Sequence, residues 1–218
     1  MASGYDMKAV KAQLEQYTPP SSRGIPVTEF VIFKLLPEFI SQDSDTLLNK
    51  IRDDFAKPSA SGDGIRLVSY GRGVDDASSV ILGFDWRKIE DHWDFWLTPA
   101  FEPVSNTIQT LFEPGMPLVK HYKFDQPGML RDAAQRVVIW KAGAGKENPS
   151  NDVDVKSGSG SVKYGWAVDA GEVDWYIVTV GYADESKAVN DQVTVPDDAT
   201  NIVFKMNFIE GEKKDTFE

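Results

Sequence analysis

The sequence predicts an α+β fold in which two ferredoxin-like repeats face their sheets together as one barrel within a single chain of 218 residues. Three observations carry this. Val31-Ile32-Phe33-Lys34 returns 107 positions later as Val138-Ile139-Trp140-Lys141. Tyr70-Gly71-x-x-Val74-Asp75 returns, in the same order, as Tyr164-Gly165-x-x-Val168-Asp169. Each copy spans roughly a hundred residues, the size of a duplicated small domain and too long for a solenoid period.

The elements follow in order. Residues 1–26 hold a short helix and a linker, with Met7, Val10, Leu14 and Tyr17 at helical spacing before Pro19-Pro20. The first repeat occupies 27–125. Residues 27–36 are almost continuously apolar, as in a strand covered on both faces, and Leu47, Leu48, Ile51 and Phe55 then recur at helical spacing. Residues 65–74 and 79–86 form an antiparallel pair around Asp75-Asp76-Ala77, a second helix starts near Lys88, and 117–124 supplies a fourth strand. The order β-α-β-β-α-β is the split βαβ motif.

The second repeat, 126–210, is worn down. From Val31 to Tyr70 is 39 positions, but from Val138 to Tyr164 only 26, so about one helix is missing. The stretch 143–161 is rich in Gly, Ser, Asn and Asp and reads as a loop. The N-terminal helix is expected to cover part of the sheet this loss exposes. Residues 211–218 form a charged tail.

A formal net charge of -11, with no basic run, opposes binding to nucleic acid or an anionic membrane surface. No apolar run approaches a bilayer span, and residues 1–20 lack the apolar core of a signal peptide. A soluble cytoplasmic protein is expected, as a monomer or a homodimer. The absence of cysteine excludes thiolate nucleophiles, disulfides and zinc-thiolate sites.

The segment Gly83-Phe84-Asp85-Trp86-Arg87-Lys88-Ile89-Glu90-Asp91-His92-Trp93-Asp94-Phe95-Trp96-Leu97-Thr98-Pro99-Ala100-Phe101 resembles the strand-to-helix signature of the dimeric α+β barrel superfamily, which includes antibiotic-biosynthesis-monooxygenase-like and stress-responsive Dabb-like proteins. The resemblance implies a small-molecule cavity between sheet and helices. It also implies a cofactor-independent cyclase, isomerase or oxygenase acting on a hydrophobic oxygenated metabolite of polyketide or aromatic type. The competing implication is a non-catalytic ligand-binding or stress-associated protein, because the positions matching the Dabb-like helix Tyr and His are Phe95 and Phe101.

Tyr70 and Arg72 share one strand face and, with His121, form the candidate catalytic set, a phenol, a guanidinium and an imidazole able to polarise an enol or carbonyl. Tyr164 and Trp166 of the matching strand, with His92 and Tyr122, are the candidate ligand contacts. The plainer readings are that the Tyr-Gly pairs are structural, that His92 is a helix-surface or capping residue, and that His121 is a solvent-facing or hydrogen-bonded strand residue. No metal site is expected, because Asp91 and Asp94 point away from His92 on a helix. No cofactor is expected either: haem-binding tandem relatives use a histidine of the second unit, and 126–218 has none.

Overall fold

The computed structural model describes residues 7–115, 117–155 and 160–212. Helix α1 (Met7–Tyr17) and a 3-10 turn (Pro20–Ser22) lead into β1 (Val27–Lys34). Next come α2 (Pro37–Ile40), α3 (Ser44–Ile51), a π-helical turn (Arg52–Ala56) and α4 (Lys57–Ala60), then β2 (Ile65–Gly73) and β3 (Ser79–Trp86). Helices α5 (Ile89–Phe95) and α6 (Phe101–Leu111) precede β4 (Leu118–Phe124). The second half runs β5 (Ala134–Lys141), a 3-10 turn (Pro149–Asp152), β6 (Asp154–Val155), β7 (Val162–Ala167), β8 (Trp175–Tyr182), α7 (Glu185–Asn190), β9 (Val193–Thr194) and β10 (Thr200–Glu210).

Eight strands close into an antiparallel barrel in the order β1-β3-β2-β10-β5-β8-β7-β4, with β6 and β9 as a separate two-stranded sheet. Closure removes the open strand edges that invite association. Side chains alternate across the wall. Phe30 and Ile32 of β1 join Tyr122, Phe124, Ile177 and Phe204 inside the barrel, while Val31 and Phe33 pack outward under the helices. Asp43 fixes the entry of α3 by accepting the backbone N–H groups of Asp45 and Thr46, and Leu47, Leu48 and Ile51 then face the sheet.

The four strands β4-β1-β3-β2 are followed round the barrel by β10-β5-β8-β7, so the halves meet at β2/β10 and at β7/β4. The repeated Tyr-Gly-x-x-Val-Asp sits at both seams. Val74 N donates to Val203 O at 2.7 Å, and Val168 N to His121 O at 2.9 Å. The motif carboxylates accept the N–H of the same partners, Asp75 from Val203 at 3.0 Å and Asp169 from His121 at 2.8 Å. One motif thus closes the barrel twice.

The N-terminal helix lies elsewhere than expected. It packs on α5, tied by Lys11 to Asp94, because its partly polar stripe finds a charge there. The outer face of the second sheet is covered instead by Ala188 of α7 and by Val153, Val155 and Val193 around the β6–β9 sheet. No described helix is long and apolar enough to cross a membrane.

Candidate active site

Under α5, on the outer face of the first four strands, four titratable side chains converge. Glu29 and His121 are cross-strand partners in the β1–β4 register, so both project on the helix side. His92 descends from α5, stacked between Trp86 and Trp93, each with its ring centroid 4.8 Å away. Asp169 arrives from the seam after β7. Its Oδ2 takes the His121 backbone N–H and its Oδ1 lies 2.7 Å from His121 Nδ1. The carboxylate is therefore placed by barrel closure, and the imidazole exploits that placement.

The hydrogen bonds set the tautomers. Trp96, one helical turn beyond His92, donates its indole N–H to His92 Nε2 at 2.8 Å. His92 therefore carries its proton on Nδ1 and offers it to His121 Nε2 at 2.8 Å, while His121 Nδ1–H serves Asp169. Glu29 Oε2 accepts the Trp86 indole N–H at 2.9 Å and stands 3.5 Å from His92 Nδ1 and 3.8 Å from His121 Nε2. A further proton on His121 turns its Nε2 from acceptor to donor, and the ring N–H groups then converge on Glu29.

Burial and the neighbouring charges order the titrations. Burial pushes His92 well below the ordinary histidine value, reinforced by positive charge on His121. His121 moves the other way. Burial opposes its charged form, but the Asp169 carboxylate, its hydrogen bond and Glu29 outweigh that and raise it. Burial raises Glu29 against the opposing pull of His121 and Trp86. Burial likewise works against ionised Asp169, yet His121 holds that carboxyl low.

The two histidines pull stability in opposite directions on either side of the ordinary histidine value. Between about pH 5 and 6.5 the unfolded chain binds a proton at His92 that the folded protein refuses, so stability falls with acid at up to about 1.4 kcal/mol per pH unit. Above pH 6.5 the folded protein still holds a proton on His121 that the unfolded chain has released, so stability falls as pH rises towards the folded His121 value. Glu29, raised by burial, takes up a proton on folding in the same acid range and offsets part of the acid-side loss, so urea midpoints of His92→Phe should fall less, or rise, between pH 6.5 and 5 compared with the wild type.

A cavity of about 170 Å³ lies against this cluster, lined by Glu29, Trp86, His92 and Trp96 together with apolar side chains of the sheet and helices. Phe95 and Phe101 line it too, as does Phe55 of the π-helical turn. Glu29 Oε1 makes no hydrogen bond among the described residues. The chain thus sets a buried carboxyl of raised pKa beside an apolar cavity, with an imidazole pair connecting it to Asp169, whose side chain is 22% exposed.

The candidates singled out in the sequence fall in three places. His92 and His121 meet in this cluster, both buried, rather than at a helix surface or in solvent. Tyr70 and Arg72 do share a face, but β2 stands two strands from β1, and the Arg72 guanidinium is committed to the carbonyls of Ala77, Gln42 and Ile40. Arg72→Ala should therefore cost about 2 kcal/mol of stability in a urea titration, the loss of charged hydrogen bonds to the α2–α3 connection. Tyr164 and Trp166 lie on the outer face of the second sheet beside Tyr176. Tyr122 is buried in the barrel interior, and its hydroxyl has no hydrogen-bond partner among the described residues.

Glu29, Trp86, Trp96 and Asp169 complete the site beyond the candidates the sequence marks. Trp96 was findable, since a Trp four residues after a His shares its helix face. The pairing of Glu29 with His121 follows only from the β1–β4 register, and that of Asp169 only from the barrel seam.

No protein-family model matches the chain, and no curated protein sequence matches it. Similar solved structures do exist. An anthrone oxidase-like protein superposes with a TM-score of 0.61 at 13% identity, covering 86% of this chain and 94% of that one. A proposed monooxygenase from Fusobacterium nucleatum gives 0.58 at 10% identity, covering 87% and 95%. A proposed monooxygenase from Lactobacillus acidophilus gives 0.55 at 8% identity, covering 86% and 97%. At these identities the likeness is one of fold.

Proposed function

We propose that the chain is an enzyme that removes a proton from a hydrophobic, oxygenated small molecule held in the cavity under α5. The observation that carries this is the buried Glu29–His92–His121–Asp169 array against an apolar cavity. A carboxyl raised towards neutrality is suited to act as a general base, and an apolar enclosure strengthens its attraction for an acidic C–H or O–H. Glu29 returns its proton within the cavity or through the neutral form of His121, whose Nε2 stands 3.8 Å away and whose Nδ1–H is held by the partly exposed Asp169.

A cavity near 150 Å³ holds a benzene ring, so about 170 Å³ suits one aromatic ring or a small fused pair. The resulting phenolate or enolate can cyclise, isomerise or react with dioxygen. The names of the superposable proteins, an anthrone oxidase-like protein and two proposed monooxygenases, support the last of these. The chemistry described uses the chain's own residues and no cofactor, and catalytic roles for Tyr70 and Arg72 are not part of this reading. In fold terms it treats 27–125 and 126–210 as two ferredoxin-like units related to the antibiotic-biosynthesis-monooxygenase-like and Dabb-like barrels.

The test is incubation in air with a panel of hydroxynaphthalenes and tetralones, reading products by mass spectrometry and binding by tryptophan fluorescence. Turnover that disappears in the cavity-filling variant Val104→Trp is expected. Binding without turnover across the panel would favour a non-catalytic ligand-binding protein.

A further inference from the structure

We propose that Glu29, His92 and His121 form a binding site for one divalent first-row transition-metal ion, with its open coordination positions facing the cavity. This goes beyond the proton-transfer reading and does not depend on it.

The geometry is the first reason. His92 Nδ1 and His121 Nε2 are 2.8 Å apart, and Glu29 Oε2 lies 3.5 Å from the first and 3.8 Å from the second. Three atoms so spaced lie on a circle of about 2.0 Å radius. An ion about 2.1 Å from each, the usual metal–nitrogen and metal–oxygen distance, therefore sits just off their plane. All three ligand residues are buried. Two imidazoles with one carboxylate suit zinc, cobalt or ferrous iron and do not suit the oxygen-seeking magnesium or calcium.

The surroundings are the second reason. A metal-bound histidine commonly donates its other ring N–H to a carboxylate, which fixes the tautomer and raises the basicity of the ligating nitrogen. His121 does this through Nδ1–H to Asp169 at 2.7 Å, leaving Nε2 with its lone pair towards the other two ligands. The Trp86 indole N–H on Glu29 Oε2 orients the carboxylate in the same way. On the cavity side the wall is apolar, so water or an oxygenated ligand would complete the coordination.

One contact resists the ion. His92 reaches it through Nδ1, so its proton must move to Nε2, where the Trp96 indole N–H already points. Two donors then face each other. Metal binding requires Trp96 to swing away, and Trp96 holds the site in its proton-relay form until it does. The two forms exclude each other, because they use the same nitrogen lone pairs.

The probe is Co²⁺ titrated anaerobically at neutral pH, followed by its visible bands and by tryptophan fluorescence, with circular dichroism to confirm the fold of each variant. One equivalent should bind the wild-type chain with visible bands of low coordination number. Glu29→Gln should weaken binding at least tenfold, and Asp169→Asn, which keeps an acceptor for His121, by about 10- to 100-fold. Trp96→Phe should bind about tenfold more tightly, as removal of one opposing hydrogen bond requires. No saturable binding by either the wild type or Trp96→Phe up to about 1 mM, below any useful affinity, would overturn the site. Binding that survives Glu29→Gln unchanged would overturn it equally, by placing the ion on the acidic surface. Because the readout is binding, a negative result leaves the acid–base chemistry of the cavity standing, and absence of turnover leaves the metal site standing.

Discussion

Glu29→Gln is expected to lower turnover by about 10²- to 10⁴-fold while the protein stays folded and still binds its ligand. The substitution is nearly isosteric. An amide oxygen can still accept the Trp86 indole N–H that Glu29 Oε2 accepts at 2.9 Å, so the strand face and the cavity wall keep their shape. What disappears is the lone pair able to take a proton and the charge that attracts it. Burial gives this group its use, since the same desolvation that discourages ionisation brings the carboxyl closer to neutrality. The loss should therefore fall on kcat, with KM little changed, because the cavity wall that binds the ligand is mostly apolar.

The second large effect lies at the barrel seams. Gly165→Ala is expected to cost about 3 kcal/mol, the upper end for forced overpacking, and Gly71→Ala about the same. A Cβ on Gly165 would stand 2.4 Å from the carbonyl oxygen of Lys123, and one on Gly71 would stand 2.3 Å from that of Lys205. Both obstacles are backbone on the neighbouring strand, so no rotamer relieves them. Each glycine lies where the two halves of the barrel are stitched together, and parting a seam disturbs every hydrogen bond beyond it. Gly165→Ala should also disturb the site, since Asp169 follows on the same strand exit and holds His121. Gly71→Ala should destabilise equally while sparing the site. Comparing the two by urea titration and by the His121 NMR resonance separates seam from site.

The echo between the halves shows what a sequence can and cannot disclose. Val31-Ile32-Phe33-Lys34 and its copy are β1 and β5, and the gap of missing residues in the second half contains, among the described residues, a 3-10 turn and the two residues of β6. Those readings needed only periodicity and counting. The repeated Tyr-Gly-x-x-Val-Asp was visible as a repeat, but its role was not, because its partners are strands of the opposite half and no local pattern names them. The glycine admits the backbone of a neighbouring strand.

The cluster was half legible for the same reason. Both histidines of the chain fall in the first repeat. Judged against their sequence neighbours they looked unremarkable, since Asp91 turns to Arg87 and Asp94 to Lys11. Their true partners are 63 and 48 positions away, Glu29 from His92 and Asp169 from His121. Long-range pairing across a barrel is set by register and closure, and neither is written in any short window.

In the proposed reaction Glu29 and its imidazole pair transfer protons to and from a molecule in the cavity under α5. The most direct test is the exchange of the acidic ring-methylene hydrogens of 2-tetralone, a two-ring ketone of suitable size, in deuterated buffer, followed by NMR with wild-type and Glu29→Gln protein side by side. Deuterium incorporation well above the buffer rate is expected with the wild type and its near-complete loss in Glu29→Gln, with 2-tetralone still quenching the cavity tryptophans in both. Equal exchange by the two proteins, or quenching by the wild type with no exchange above buffer, would contradict it.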